Sequence, residues 1–552
     1  MLKKRIVSVL IVLCLLLSSA LPSALADSEA LIDSYQVDIY APATAIVMAP
    51  TVVSDGMTAF TDKRPATVCL PVTLEGDTLY TLDAAGASAT LDSQLLLIKG
   101  LAMPMLSIQD AQSAEALRAY LNEQQLSNAF VTAGDAALVK AVCQNNMYLR
   151  PVLDLSDRAD LSIASVCNAV YENGMNIVII GEAFATPENI YQLQQRYLTV
   201  FVRTSGDPLS LHTQILSGAN GIITENWPGA IDALESYTET TVVRPTHVIG
   251  HRGNNEAAPD NTLRSIVSAI EVGADIVEID VRMTKDGHLI LCHDKIAPLV
   301  GRTQYTVSET ELSVLTSMEL ADARAESTDR LITLEDAFIL IKESYPHIVL
   351  ELDLKDRRMD VVEAIHDLAV KYDMLANIAL LSSNLSLNAK AIALPLGCAV
   401  LNCDSKSGAV RAGNAGQSAY LAESSYRLTG GYLCQEYLYF SVNLIENAKH
   451  QGMTSWIYTM NTARDMDNRF LQGFAGITTN LPSHGANWAR YLKTETVDGV
   501  QKASLHMYDG TVRDVTEDCE EVTLAEGVKA LRCKLTLTNK KTYAIYSLPF
   551  AE

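Results

Sequence analysis

Between residues 246 and 492 the chain alternates short β-branched runs with stretches whose apolar positions recur at helical spacing. The runs fall at 247–250, 276–281, 348–354, 377–381, 398–402, 432–435, 455–460 and 476–479. Helical spacing marks 262–272, 359–371 and 442–450. Strand–helix alternation over ~250 residues predicts an α/β fold with a parallel sheet closed into a TIM (β/α)8 barrel. An open doubly wound sheet is the alternative, but it normally holds fewer strands.

The first half of the chain repeats the pattern. Residues 43–51 can be laid over 245–253, 67–83 over 278–294 without a gap, and 217–228 over 472–482. Further apolar runs at 105–108, 129–132, 149–153, 177–180 and 200–202 are each followed by a helical stretch. A second TIM-like barrel is therefore expected before the first. In this alignment Ala49 and Pro50 stand at His251 and Arg252, and Thr67 and Cys69 at Glu278 and Asp280. Leu82 stands at His293 and Ser107 at Asp353. The earlier barrel is expected to be degenerate and non-catalytic, with a packing or binding role. Residues 235–245 are polar, end in proline and read as a linker. Beyond 494 the pattern becomes short strands (504–508, 522–524, 530–537, 543–547) between Asp-Gly, Glu-Gly and Asn-Lys turns, a small β-rich region. The expected organisation is 1–26, 27–240, 241–492 and 493–552.

Residues 1–26 carry Lys3, Lys4 and Arg5, an apolar run and an Ala-Leu-Ala exit, the arrangement of a secretory signal peptide. A secreted or cell-surface protein is expected, with no stable membrane span after cleavage. The net charge of −23 deepens to −26 without those residues, leaving 39 Lys and Arg against 65 Asp and Glu. Such a surface argues against nucleic acid as a partner. It also requires local positive charge at any phosphate site. The nine remaining cysteines are scattered, with no C-x-x-C pair. Neither a disulfide scaffold nor a zinc module is indicated. Cys519 and Cys533 read equally well as a pair or as buried free thiols.

Candidate chemistry gathers at strand ends. His251-Arg252-Gly253 closes the first strand of the later barrel, and active sites of such barrels lie at the C-terminal ends of strands. Glu278 and Asp280 are separated by one residue, so both carboxylates share a face. Buried together, they repel unless a cation neutralises them. Thr284–Gly287 reads as a tight turn that returns His293 and Asp294 to the same end, with Asp294 placed to orient a ring. Glu351, Asp353 and Lys355 alternate with leucines. A carboxylate and an ammonium beside a metal suit a bound phosphate.

In order, the chain reads His251-Arg252-Gly253, Pro259-Asp260-Asn261-Thr262, Gly273-Ala274-Asp275, Glu278-Ile279-Asp280-Val281, Thr284-Lys285-Asp286-Gly287 and His293-Asp294. Ile332-Thr333-Leu334-Glu335, the strand from Trp456 to Asn461 and the closing run from Gly476 to Pro482 follow. This succession resembles the glycerophosphodiester phosphodiesterase family over residues ~246–492. The resemblance implies a TIM barrel of the phospholipase C-like phosphodiesterase type. It implies hydrolysis of glycerophosphodiesters to glycerol 3-phosphate and an alcohol. His251 and His293 would be the acid–base pair, Arg252 and Lys355 would bind phosphate, and Glu278, Asp280 and Asp353 would bind the metal. Asp260, Glu351, Asp294 and Trp456 would have supporting roles. An all-carboxylate site favours one hard divalent cation, Ca2+ or Mg2+. The implied partner is a glycerophosphodiester or a glycerol-phosphate polymer. The alternatives are a non-catalytic surface protein binding such a polymer and a lysophospholipase D-like enzyme on the same barrel.

Two positions depart from the family pattern. Asp260 and Asp353 stand where glutamate is usual, and each loses about 1.5 Å of reach. Metal sites tolerate only ~0.2 Å. A strand shift, an intervening water or help from Glu351 is expected to make up the difference.

Overall fold

The computed structural model describes residues 37–551 apart from 125, 127, 145, 147–148, 395, 397, 404–432, 438–439, 441 and 499. The signal-peptide reading of 1–26 and the first residue of the run at 432 lie outside the described residues. The later barrel is built from His247–His251, Ile276–Met283, Val349–Leu354, Ile378–Ser382, Cys398–Cys403, Leu433–Glu436, Ser455–Met460 and Gly476–Thr479, all parallel. The ring closes because His247–His251 pairs with both Ile276–Met283 and Gly476–Thr479. Leu289–Leu291 returns antiparallel to Ile276–Met283, as the Asp-Gly turn predicts. The earlier barrel is likewise a closed ring of eight strands, from Thr51–Asp55 to Gly221–Thr224.

The repeat is real, and strand pairing corrects its register. Val52 pairs with Ile222 as Val248 pairs with Ile477. Asp55 therefore occupies the place of His251. Asp55 opposes Cys69 as His251 opposes Glu278, and Pro71 opposes Ser107 as Asp280 opposes Asp353. The groups standing for His251, Glu278 and Asp280 are thus Asp55, Cys69 and Pro71, not Ala49, Thr67 and Cys69. Ser107 for Asp353 holds. Strand patterns of period two align equally well when shifted by an even number of residues, and the match slipped by six at the first strand and by two at the second. Leu82, expected at the place of His293, lies instead on an exposed antiparallel excursion with Thr73–Glu75 and Ser88–Thr90. The mouth of the earlier barrel also keeps charge: Arg203 is paired to Asp55 and, at 3.0 Å, to Asp154.

The two barrels meet through the N-terminal ends of their strands, so their mouths face away from each other. Thr199, which opens its strand, donates to the Gly452 carbonyl at 2.7 Å. Arg150 donates to Gln451 at 2.7 Å, and Gln195 to the carbonyls of Asp275 and His347. Tyr197, in the turn before Thr199–Arg203, has φ +61° and is buried. It enters the base of the later barrel and packs with Ile249, Ile276, Val349 and Leu381. Its ring stacks on Trp456 at 4.3 Å, and its hydroxyl donates to Glu351 at 2.8 Å. Trp456 fits there because Gly476, its register partner, has no side chain; a Cβ would lie 1.9 Å from the indole. In the earlier barrel Phe201 and Gly221 make the same pair.

Ala489–Val497, Val500–Met507 and Val512–Asp514 form one antiparallel sheet. Cys519–Ala525, Val528–Thr536 and Thr542–Tyr546 form another, which extends onto Thr241–Val242 and Ile46–Val47. The C-terminal region thereby binds the polar segment between the barrels and the entry to the first. Among the described residues no helix is long and apolar enough to cross a membrane.

This packing makes the earlier barrel the floor of the later one. A chain beginning at residue 241 exposes Trp456 and its neighbours, and is expected to aggregate in size-exclusion chromatography; a monodisperse, folded fragment would contradict the account. In the whole chain, Tyr197→Ala should destabilise the later barrel by ~3–5 kcal/mol in denaturant unfolding. Tyr197→Phe, which only unpairs a buried carboxylate, should cost ~1–3 kcal/mol.

Candidate active site

His251 ends its strand, and the turn that follows is tightly specified. Arg252 has φ +56° and Gly253 φ +87°. A Cβ on Gly253 would lie 2.5 Å from the Ser265 hydroxyl and 2.6 Å from its backbone, so only glycine fits. The turn aims the Arg252 amide at Glu278 Oε2, 2.9 Å away. Thr262 caps the helix Leu263–Glu271 in a capping box with Ser265. That cap holds Asn261 just before the helix, where its side chain brackets Asp280. Asn261 Nδ2 donates to Asp280 Oδ2 at 2.8 Å, and the Asp280 amide donates to Asn261 Oδ1 at 2.9 Å.

Glu278, Asp280 and Asp353 are buried and each offers one oxygen within 4.8 Å of the others. A hard cation with oxygen ligands at ~2.4 Å spans about that distance between opposite ligands. Asp280 and Asp353 are direct register partners. The shorter side chain at 353 therefore reaches the cluster without a strand shift. Lys355 Nζ lies 2.6 Å from Asp353 and 3.3 Å from Asp280 Oδ1, which has no hydrogen bond. Arg252 Nε lies 3.2 Å from Asp280 Oδ2.

Burial, then the neighbouring Asp280 and Asp353, hold the Glu278 carboxyl well above the usual carboxylate range. Burial also raises Asp353, against the pull of Lys355. For Lys355 burial opposes the charged form, but Asp353 and Asp280 outweigh it and its pKa rises. Three buried carboxylates against one ammonium and one guanidinium leave a deficit of positive charge. An all-oxygen donor set with an unbonded, buried Asp280 oxygen fits a hard divalent cation.

The two histidines differ. His251 Nδ1 lies 2.7 Å from Asn480 Oδ1. Asn480 donates its own amide to Asn461 at 2.6 Å, and its oxygen also accepts from Asn255 at 2.6 Å. The Asn480 oxygen thus faces His251, so Nδ1 carries the proton and Nε2 keeps its lone pair, 4.0 Å from Glu278. Burial, then Arg252, lower the His251 pKa. His293 is more exposed and lies on the returning segment, where Arg282 donates to its carbonyl. Asp294 sits 2.8 Å from its Nδ1, as expected. His293 lines a cleft with Arg252, Asp260, Cys292, Asp322 and Arg324.

Three of the candidate supporting residues lie outside the carboxylate cluster. Trp456 lies at the barrel floor, at the N-terminal end of its strand, because its ring needs the space above Gly476. Glu351 points below the cluster, to Tyr197. Asp260 touches no carboxylate of the cluster; it links Arg252 at 3.2 Å and Arg324 at 3.0 Å. Sequence reasoning missed Arg324, from the excursion between Leu289–Leu291 and Leu334–Ser344, and the roles of Asn261, Asn480, Asn461 and Asn255. Asn261 and Asn480 stand inside the quoted motifs, which was the available clue. Tyr197 belongs to the other barrel and had none.

The model of the glycerophosphoryl diester phosphodiesterase family matches residues 251–484. The chain is similar to a glycerophosphodiester phosphodiesterase of Caldanaerobacter subterraneus, 35% identical over 98 residues, 17% of this chain and 40% of that protein. It is also similar to a lysophospholipase D of Mus musculus, 24% identical over 145 residues, 25% of this chain and 43% of that protein. The chain spans less than half the length of these relatives. A glycerophosphodiester phosphodiesterase structure from Agrobacterium tumefaciens aligns with 43% of this chain and 98% of its own, at 17% identity and a TM-score of 0.36. The likeness to the glycerophosphoryl diester phosphodiesterase family thus falls on residues 251–484, within the later barrel and around the carboxylate cluster.

Proposed function

We propose that the chain is an exported, divalent-cation-dependent glycerophosphodiester phosphodiesterase acting through His251 and His293. The observation that carries this reading is the set of three buried carboxylate oxygens within 4.8 Å of one another, with the free Nε2 of His251 beside them. Glu278, Asp280 and Asp353 would hold the cation, which when bound offsets negative charge on a phosphoryl oxygen. Arg252 and Lys355 add fixed positive charge at the same place. That local charge answers the repulsion of a chain with net charge −23.

His251 is the base. Its lowered pKa keeps the ring neutral near neutral pH, and Asn480 holds it in the tautomer whose Nε2 accepts a proton. The proton comes from the attacking hydroxyl, either water or the glycerol 2-hydroxyl, which would give a cyclic phosphate that water then opens. His293, oriented by Asp294 on the open side of the cleft, delivers a proton to the leaving alcohol. Substrates outside the cell would be deacylated phospholipids or glycerol-phosphate polymers. Export is supported by the basic and apolar start at residues 1–26.

Glycerol 3-phosphate should appear from glycerophosphocholine with Mg2+ or Ca2+ and vanish with chelator. His251→Ala and His293→Ala should each lower kcat by ~10²–10⁴ with folding intact. Full activity in both variants would remove the assignment. The chelated protein should be stabilised by Mg2+ or Ca2+, by ~2.7 kcal/mol at a hundred times Kd, read as a thermal shift that Asp280→Asn abolishes. Asn480→Ala should lower kcat roughly tenfold with KM nearly unchanged, the size expected for losing one orienting hydrogen bond. The His251 15N resonances should then show loss of the Nδ1–H tautomer; an unchanged tautomer would contradict the role given to Asn480.

A further inference from the structure

We propose that Cys519 and Cys533 form a disulfide that staples the edge strand of the C-terminal sheet to its neighbour. Cys519 opens Cys519–Ala525 and stands directly opposite Cys533 of Val528–Thr536 in the antiparallel ladder. Directly opposed residues project from one face with Cα atoms ~4.5–5.5 Å apart. A disulfide accepts Cα separations of ~4.4–6.8 Å, so the bond needs no movement of either strand. Both side chains pack in one apolar cluster with Leu505, Val515, Leu531 and Ile545. Among the described cysteines no other two are register partners. Cys519–Ala525 is the outermost strand of this sheet, and its ladder is to Val528–Thr536. Because the same sheet takes in Thr241–Val242 and Ile46–Val47, the staple would brace the element that ties both barrels to the C-terminal region.

The oxidant is a disulfide, either a small molecule such as oxidised glutathione or an oxidised protein dithiol. The Cys519 thiolate, on the more exposed side, attacks one of its sulfurs and expels a thiolate, forming a mixed disulfide. Cys533 then attacks Cys519 Sγ and expels the second thiolate. Two protons pass from the cysteines to the two leaving thiolates, and two electrons reduce the oxidant to two thiols. Burial, then the adjacent thiol, push the Cys519 thiol up to about 12, so exchange in the folded chain is slow and a catalyst of exchange belongs in the test. The proposal is independent of the chemistry at the barrel mouth.

The test holds the full chain in oxidised glutathione with a disulfide isomerase until its free-thiol titre is constant. The protein is then denatured, alkylated, digested and analysed by mass spectrometry. The expected result is a peptide pair joined through Cys519 and Cys533, with two thiols fewer per chain and slower amide exchange over 519–536. Recovery of both residues alkylated, or only as glutathione adducts, overturns the proposal. So does a loss of two thiols that persists in Cys519→Ser.

Discussion

Three carboxylates held within one ion's reach in the interior of a barrel are the constraint from which the rest of the site follows. Burial alone drives Glu278 and Asp353 toward their neutral forms, and mutual repulsion adds to it. The surroundings answer with positive charge and donors: Lys355, Arg252 through both its amide and its guanidinium, and the Asn261 amide. Each is delivered by a specific local device. A glycine-dependent turn positions Arg252, a capped helix start positions Asn261, and a register pair sets Asp353 beside Asp280. What these groups leave uncompensated is the charge a hard dication would supply.

Below this cluster the later barrel is not self-sufficient. Its floor is Trp456 stacked on a tyrosine of the other barrel, and the carboxylate one layer beneath the cluster is held by that tyrosine's hydroxyl. The earlier barrel packs against that floor, and at its own mouth Asp55, Cys69 and Pro71 stand at the places of His251, Glu278 and Asp280. At that mouth Arg203 is shared between Asp55 and Asp154, which leaves one carboxylate charge in excess among the three.

Most of the fold was legible because strands buried on both faces leave unbroken β-branched runs. The eight runs of the later barrel fall on its eight strands, including 455–460 and 476–479 to the residue. Register was harder, since a period of two cannot tell Asp55 from Ala49, an even six residues away. The core of the site was also legible: Glu278, Asp280 and Asp353 do converge, with Arg252 and Lys355 on them. Trp456 misled because its motif lies on a strand whose other end is at the mouth. Tyr197 and Arg324 come from chain segments whose approach depends on packing between elements far apart in sequence, which no local pattern encodes. Asn480 was visible as a motif residue, but its task depends on which way its amide faces, and Asn461 sets that.

The most direct test of the central claim is a crystal of the full chain soaked in Mn2+ and measured at the manganese absorption edge. The account predicts one strong anomalous peak bonded to oxygens of Glu278, Asp280 and Asp353 together, at the mouth of the later barrel. No peak at saturating Mn2+, or one that leaves any of the three carboxylates out of the coordination, would contradict it.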